Sequence, residues 1–151
     1  MFLFNVRVYG ILINEKNEVL ISDEKLAKVS FTKFPGGGLE YGEGLIEALK
    51  REFMEECDLE VDIVRHVYTT DFYEKSSFNE SQILSIYYQV KATGPIKFEL
   101  KESPFDFSQE KQQEKMEVFR FLPIEKLEEK DLTFKTDKVA WSTFKTLLAQ
   151  D

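Results

Sequence analysis

The fold is decided by residues 37–59, which read Gly-Gly-Leu-Glu-Tyr-Gly-Glu-Gly-Leu-Ile-Glu-Ala-Leu-Lys-Arg-Glu-Phe-Met-Glu-Glu-Cys-Asp-Leu. The second half is typical of a helix and carries Glu52, Glu55 and Glu56 at positions i, i+3 and i+4. Residues at this spacing are neighbours on one helix face, so their negative charges repel one another. The cluster is favoured where a hard cation lies among the oxygens, because carboxylates are natural ligands of Mg²⁺ or Mn²⁺. A solvated acidic face is the alternative.

The direction of these acids weakens that alternative. At about 100° per residue, Leu45, Ala48 and Leu49 point into the same half of the helix as Glu52 and Glu56. The acids therefore continue the face that the first two turns bury. Carboxylates directed toward the body of a protein usually hold a metal or have a perturbed pKa. The helix alone leaves a metal site and a solvated face both open.

The segment before the helix, Phe34-Pro35-Gly36-Gly37-Gly38, predicts a tight loop with an exposed backbone. Glycine takes positive φ freely and lets another group approach the main chain. The loop brings Glu43 to the helix entrance, where an acid suits the helix dipole. Arg51 follows eight residues later, and its guanidinium fork is expected to pair with Glu43 across the loop.

This stretch resembles the box of the Nudix hydrolases, the MutT-like pyrophosphohydrolases, usually written G-x5-E-x7-R-E-U-x-E-E-x-G-U with U a bulky aliphatic. The strict matches are Gly37, Glu43, Arg51, Glu52, Glu55, Glu56 and Leu59. Phe53 places an aromatic at the first U position. Asp58 stands where the pattern has a glycine that closes the helix in the left-handed conformation. Aspartate tolerates that conformation better than most residues, so the turn is expected to survive.

The resemblance implies an α/β fold, an α/β/α sandwich around a mixed β-sheet, with the box forming loop, helix and loop. A weaker match at Phe121–Leu127 is similar to the family strand that ends before a short helix. The implied activity is hydrolysis of a pyrophosphate bond, in which bound Mg²⁺ or Mn²⁺ polarises phosphoryl oxygens and helps to deprotonate the attacking water. No covalent nucleophile is required.

The resemblance also assigns roles to the box residues. It implies Glu52, Glu55 and Glu56 as metal ligands, with Glu52 or another nearby acid as the base. It implies that Arg51 and Glu43 fix the helix and the loop to one another.

Residues outside the box complete the candidate site. The backbone carbonyl of Gly36 is a further metal ligand implied by the family, and Glu114 or Glu117 is a candidate for an additional carboxylate. His66 is interpreted as packed or exposed rather than catalytic. Cys57 is interpreted as a buried helix-end residue, since no basic neighbour would stabilise a thiolate. The aromatic residues that either stack on a substrate base or form core are Tyr68, Phe72, Tyr73, Phe78, Tyr87 and Tyr88.

The substrate stays open among a nucleoside triphosphate, a nucleotide sugar and a dinucleoside polyphosphate, with a nucleoside diphosphate derivative of some kind preferred. The proline that marks ADP-ribose subgroups is absent between Pro35 and Pro95, and the motif of the NADH-cleaving subgroup is not matched after Ser81-Gln82. The rival hypothesis is a catalytically silent Nudix-like domain that senses a nucleotide or mediates an interaction. The complete set of box acids favours catalysis. A second rival, a calcium- or magnesium-binding structural domain, would need a set of oxygen ligands such as an EF-hand loop, and the sequence has no such spacing.

Composition predicts one domain over residues 1–151, located in the cytoplasm. The chain is 42% hydrophobic, contains one cysteine, and has no apolar run long enough to span a membrane. A formal charge of -8 argues against nucleic-acid binding, which depends on clustered lysine and arginine. The expected partner is a small nucleotide-type molecule, and a homodimer is an option.

The hydrophobic periodicity and the turn residues predict the helices and strands of the chain. Helices are expected at Leu45–Cys57 and Thr136–Ala149, and a long loop at Lys101–Lys115 that could border the site. The predicted strands are Phe2–Ile13, Val19–Ser22, Val61–Thr69, Gln82–Ala92, Lys97–Leu100 and Met116–Leu122.

Overall fold

The computed structural model describes residues 3–107 and 115–151. These residues form seven strands and two helices, with two short 3-10 turns before the last helix. The elements are, in chain order, β1 (Phe4–Leu12), β2 (Glu18–Leu26), β3 (Val29–Lys33), β4 (Gly36–Gly38), α1 (Leu45–Cys57), β5 (Val61–Thr69), β6 (Gln82–Ala92), β7 (Lys115–Pro123) and α2 (Lys135–Gln150). Within the described ranges neither helix is long and apolar enough to cross a membrane.

The strands form two sheets. The larger has the order β4-β1-β6-β5, in which β1 and β6 are parallel and the other pairs are antiparallel. The smaller has the order β3-β2-β7 and is antiparallel throughout. The parallel pair makes the larger sheet mixed, which confirms the fold class expected from the sequence.

The two helices cover opposite faces of the strands. Successive side chains of a strand point to opposite faces, and in β1 Val8 and Leu12 join one buried cluster while Tyr9 and Ile11 join the other. α1 contributes Ala48, Leu49, Phe53 and Cys57 to the first cluster. α2 contributes Ala140, Trp141 and Phe144 to the second. The strands therefore lie between two helical layers, as the sandwich requires.

Helix α1 has the bounds that the sequence predicts. At its start, Glu47 Oε1 accepts a hydrogen bond from the Gly44 backbone N–H at 3.2 Å. At its end, Asp58 takes the left-handed conformation with φ 48° and ψ 43°. The Leu59 N–H then donates to the Phe53 carbonyl at 3.3 Å, which closes the last turn. The expectation that aspartate would replace the closing glycine is confirmed.

The glycine segment corrects the sequence prediction of a loop with an exposed backbone. Gly36–Gly38 is the short strand β4, paired antiparallel with β1, and Gly36 and Gly37 are buried. A Cβ on Gly36 would lie 2.1 Å from the Val8 carbonyl oxygen, and its φ of 150° disfavours other residues. Glycine is needed here so that β4 can approach β1.

The predicted strand at Lys97–Leu100 was wrong. Leu100 forms only an isolated bridge with Phe119, and the Phe98 ring packs against the Phe119 ring at 4.9 Å. Ile96 and Leu100 are exposed, so this segment has few apolar contacts to hold an extended edge. The predicted loop that follows is described only as far as residue 107 and from residue 115 onward.

The sequence predicts a strand at Val19–Ser22 and none at residues 29–33, whereas the structure has a β2–β3 hairpin. β2 continues past Ser22 to Leu26, and β3 returns from Val29 through a turn in which Ala27 has a φ of 55°. The extension follows from pairing on both sides, since β2 lies between β3 and β7. This pairing places the charged residues of β2 beside the helix that carries the box.

Candidate active site

Arg51 joins the loop before α1 to the helix. Its Nε donates to Glu43 Oε2 at 3.0 Å, and its Nη2 donates to Glu43 Oε1 at 2.6 Å and to the Gly38 carbonyl at 3.0 Å. A guanidinium fork binds a carboxylate in this two-bond manner with defined geometry. The hydrogen bonds from Arg51 hold the pKa of Glu43 below its ordinary value. The ion pair expected from the sequence is therefore formed.

The third guanidinium nitrogen of Arg51 lies among the other box acids. Nη1 donates to Glu52 Oε1 at 3.0 Å and to Glu55 Oε2 at 3.2 Å. Within residues 3–107 and 115–151, no three His, Cys, Asp or Glu side chains are gathered closely enough to hold a metal ion. Arg51 thus contacts one carboxylate oxygen of Glu52 and one of Glu55.

The position of the Glu52 carboxylate depends on the absence of a side chain at Gly37. A Cβ on Gly37 would lie 2.5 Å from the Glu52 carboxyl carbon and 2.6 Å from each of its oxygens. Real Cβ atoms do not approach other atoms so closely, so only glycine at position 37 leaves room for this carboxylate. The glycine strand and the helix thus form one unit that holds Glu52 against the sheet.

Glu56 points into the same region and is partly desolvated. Burial raises its pKa to about 7; Lys33 acts in the opposite direction, and the carboxylates of Glu24 and Glu52 add to the rise. Its Oε2 is buried and has no hydrogen-bond partner among the described residues. A buried carboxylate oxygen without a partner is unfavourable. A divalent cation would satisfy it, so Glu56 fits the metal that the box implies.

Two further carboxylates lie beside the box, and one of them, Glu24, was missed by the sequence analysis. Glu24 on β2 and Glu117 on β7 are direct neighbours in the antiparallel ladder. The Ser22 hydroxyl lies 2.9 Å from Glu24 Oε2 and 3.0 Å from Glu117 Oε2. Continuing the two-residue alternation of β2 from the core residue Leu20 through Ser22 would have predicted this direction for Glu24.

The pKa values of the two acids shift in opposite directions because, among the described residues, only Glu24 of the two forms an ion pair. Lys33 Nζ lies 2.8 Å from Glu24 Oε2, and both side chains are buried. Burial raises the pKa of Glu24, but Lys33 and hydrogen bonds from Glu117 and Ser22 lower it by more. Burial, with Glu56 and Glu24, raises the pKa of Glu117 to about 8. Of the two acids, Glu117 is therefore the one that binds a proton more readily.

The other residues singled out in the sequence lie in different places. Glu114 is outside the described residues. Gly36 is opposite Tyr9 in the β1–β4 ladder. His66 is exposed, with Nε2 2.9 Å from Thr69 Oγ1. Cys57 is buried, which raises the pKa of its thiol and disfavours a nucleophilic role. Of the six aromatic candidates, Phe78 lines the cavity described next.

A cavity of about 270 Å³ has Glu24 among its lining residues. One wall is formed by Phe31, Phe78 and Phe134, whose ring centroids are 5.4 to 6.3 Å apart. Flat rings in such an arrangement suit a planar aromatic ligand. The polar and charged residues that line the cavity include Arg7, Tyr9, Glu24, Lys33, Asn5, Ser85, Thr136 and Asp137.

The floor of the cavity has a buried acid of its own. Asp137 accepts a hydrogen bond from the Tyr87 hydroxyl through Oδ1, whereas its Oδ2 and the Ser85 Oγ are buried with no partner among the described residues. Burial raises the pKa of Asp137 to about 7, although the Tyr87 hydrogen bond and the positive charges of Lys33 and Arg7 oppose the rise. The folded chain therefore holds a proton on Asp137 at a higher pH than the unfolded chain does.

Comparisons with known proteins identify the domain family and a shared fold. A family model described as NUDIX domain matches residues 3–143. The solution structure of the E. coli ORF135 protein has a TM-score of 0.72 and 17% identity, covering 97% of this chain and 92% of that one. A MutT NUDIX hydrolase from Burkholderia pseudomallei has a TM-score of 0.69 and 13% identity, covering 93% and 97%. An ADP-ribose pyrophosphatase from Streptococcus suis has a TM-score of 0.56 and 14% identity, covering 92% and 85%. At these identities the structures show a shared fold. No curated protein sequence matches the chain.

Proposed function

Because the chain belongs to the NUDIX domain family and is a pyrophosphohydrolase, we propose that it cleaves a nucleoside diphosphate derivative with the help of Mg²⁺ or Mn²⁺. The substrate is a nucleoside triphosphate, a nucleotide sugar or a dinucleoside polyphosphate. The proposed metal ligands are the carboxylates of Glu52, Glu55 and Glu56 and the backbone carbonyl of Gly36, with Glu117 as a further acid at the site.

The buried, unpartnered Oε2 of Glu56 is the observation that carries this proposal. Burial is the main cause that raises the pKa of the Glu56 carboxyl; Lys33 opposes the rise, and the negative charges of Glu24 and Glu52 add to it. Added positive charge would relieve this repulsion and satisfy the oxygen at the same time. Cations bound there would polarise phosphoryl oxygens and lower the pKa of a bound water.

The residues of the chain position the reactants and move the proton. Arg51 and Glu43 hold the helix against the glycine strand, and Gly37 leaves the space for the Glu52 carboxylate. The water oxygen forms a bond to one phosphorus, and the bridging P–O bond breaks so that the leaving phosphate keeps the bridging oxygen. The proton of the water passes to a nearby carboxylate, for which Glu52 is the first candidate.

The cavity is the proposed site for the group attached to the pyrophosphate. Its aromatic wall suits a nucleobase, and its polar end, at Glu24 and Lys33, lies next to the box. A ligand that fills it would place its phosphates at the carboxylates of α1. We further propose that one domain acts in the cytoplasm on this small molecule, since a charge of -8 disfavours nucleic acid. Light scattering on the purified protein would test whether it is a homodimer.

A coupled assay tests the proposal. Phosphate release is measured from nucleotides, nucleotide sugars, dinucleoside polyphosphates and ADP-ribose with Mg²⁺ or Mn²⁺, comparing wild type with Glu56→Gln. Glu47→Gln is the matched control, because it makes the same change on the same helix and glutamine can keep the contact with Gly44.

We expect metal-dependent turnover in wild type and in Glu47→Gln, and a loss of at least about 100-fold in Glu56→Gln. Mg²⁺ or Mn²⁺ should also raise the melting temperature of wild type and much less that of Glu56→Gln. Full activity in Glu56→Gln would show that the box is not the site. Silence of wild type on the whole panel would favour the nucleotide-sensing or interaction domain.

A further inference from the structure

Arg7 is a partly buried cation on the wall of the cavity. It lies on β1 and is paired in the ladder with Gly38 of the glycine strand. Its Nε donates to the Tyr9 hydroxyl at 2.5 Å, and its guanidinium carbon lies 5.7 Å from the centre of the Tyr9 ring. Among residues 3–107 and 115–151, no carboxylate forms an ion pair with Arg7 and no acceptor binds its Nη1 or Nη2. The outer edge of the guanidinium thus has donors to offer a ligand.

Of the four described lysines that line the cavity, Lys33 and Lys75 provide a contrast. Lys33 is paired with Glu24 at 2.8 Å, and Lys75 is paired with Glu80 at 3.5 Å. Burial lowers the pKa of Arg7, but Tyr9 and the charges of Glu52 and Glu24 raise it by more, so the side chain is charged. A partly buried guanidinium without a direct acidic partner is unfavourable unless a ligand neutralises it.

The position of Arg7 connects the cavity with the box. The residue lines the cavity, and a Cβ on Gly38 would lie 3.8 Å from Arg7 Nη1. The Gly38 carbonyl in turn accepts the hydrogen bond from Arg51, which binds Glu52. A phosphate chain that extends from a base in the cavity toward the carboxylates of α1 therefore passes the free edge of Arg7.

We infer that Arg7 binds the phosphate chain of the substrate where it leaves the cavity, and so fixes which P–O–P bond faces the box carboxylates. This inference rests on the proposed function and assigns a binding residue to the phosphate chain that its three substrate classes share. Two parallel N–H donors match two phosphate oxygens, which a lysine cannot reproduce. Arg7 is thus a specificity-determining residue outside the box.

Equilibrium binding without divalent cations tests the inference separately from catalysis. The probes are the α,β-methylene diphosphates of adenosine, guanosine, cytidine and uridine, whose bridge resists hydrolysis, and the four parent nucleosides. Titration calorimetry in EDTA compares wild type with Arg7→Gln and Arg7→Lys. The matched control is Arg65→Gln, which removes the same charge from β5, where Arg65 binds Asp151.

We expect Arg7→Gln to bind the preferred methylene diphosphate at least about tenfold more weakly than wild type, with nucleoside binding unchanged. Arg7→Lys should be at least about threefold weaker, and Arg65→Gln should match wild type. In turnover assays the KM of Arg7→Gln should exceed that of wild type, and the increase should be larger for substrates that carry more phosphates. If Arg7→Gln does not fold, as judged by its thermal unfolding, Arg7→Lys carries the test.

Three outcomes would overturn the inference. They are equal diphosphate affinity in the Arg7 variants and wild type, an equal loss of nucleoside and diphosphate binding, and no binding of any probe to wild type. Arg7-dependent binding without turnover on any substrate would support the role of Arg7 and overturn the hydrolase. Turnover in wild type with Arg7-independent binding would do the reverse.

Discussion

Arg120 and Asp23 form a buried ion pair between the two strands that carry Glu117 and Glu24. Arg120 Nε donates to Asp23 Oδ2 at 2.7 Å, and Arg120 Nη2 donates to Asp23 Oδ1 at 3.2 Å. The Asp23 oxygens also accept from the Thr32 hydroxyl and from a backbone N–H. Because neighbouring side chains alternate along a strand, this ion pair lies on the face of the sheet opposite Glu24, where it links β2 to β7.

Replacing one partner of this pair should destabilise the fold without changing the site. Arg120→Leu leaves the Asp23 charge buried without its cation, so we expect the free energy of unfolding to fall by about 3 to 5 kcal/mol. Urea unfolding measures the loss, and the double variant Asp23→Ala/Arg120→Leu should recover part of it. A loss below about 1 kcal/mol would contradict the interpretation. Turnover of the folded variant at low temperature should stay close to wild type.

A methyl group on Gly37 should displace the Glu52 carboxylate. The Cβ of Gly37→Ala would lie 2.5 Å from Glu52 Cδ, so the Glu52 carboxylate must leave its present place beside Arg51. We expect turnover to fall by at least about tenfold, since small displacements of a catalytic group have large effects. Gly94→Ala is the control, because its new Cβ would meet Glu60 at an ordinary 3.8 Å. Equal activity of the two variants would refute the role assigned to Gly37.

Arg51→Lys should separate charge from geometry at the box. A lysine keeps the positive charge but cannot bind Glu43 through two bonds while also reaching the Gly38 carbonyl and Glu52. We expect turnover to fall by at least about tenfold and the metal concentration for half-maximal activity to rise. Steady-state assays at several Mg²⁺ concentrations measure both. Arg65→Lys on β5 is the control, and an Arg51→Lys enzyme with wild-type metal dependence would exclude the proposed positioning role.

Asp137 should make stability fall with rising pH. Burial, opposed by Tyr87, Lys33 and Arg7, raises its pKa from 3.8 to about 7 in the folded chain. Between these values the folded state binds more protons than the unfolded state, so stability decreases as pH rises from about 4 to about 7 and then levels off. Asp137→Asn removes this term. Above about pH 7 we expect the variant to be more stable by roughly 1 to 4 kcal/mol, and below about pH 4 to equal wild type.

Urea unfolding at several pH values measures this difference. Thr136 is the neighbouring control, because Thr136→Ser keeps a hydroxyl at the cavity floor and introduces no change in charge. A constant difference between wild type and Asp137→Asn across the pH range would contradict the raised pKa.

The box was predictable because its information is local. Periodicity and capping determine where α1 begins and ends, so Leu45–Cys57 was correct to the residue. The spacing of Glu43 and Arg51 likewise predicted their ion pair. Glu24 was not predicted, because its charged neighbours in β2 resemble a surface segment and only pairing with β3 and β7 reveals which face is covered. The failed strand at Lys97–Leu100 has the same cause, since extended segments need partners that sequence does not name.

By itself, the sequence determined the helix, its closing turn at Asp58, the three box glutamates and the family to which the chain belongs, since each depends on residues a few positions apart. Only the tertiary structure decided that Gly37 lies against Glu52, that Glu24 and Glu117 face one another, and that Arg7 lies between the cavity and the box. These contacts join residues distant in the chain. Their geometry follows from strand register and from the packing of α1 and α2 on opposite faces, which no local spacing specifies.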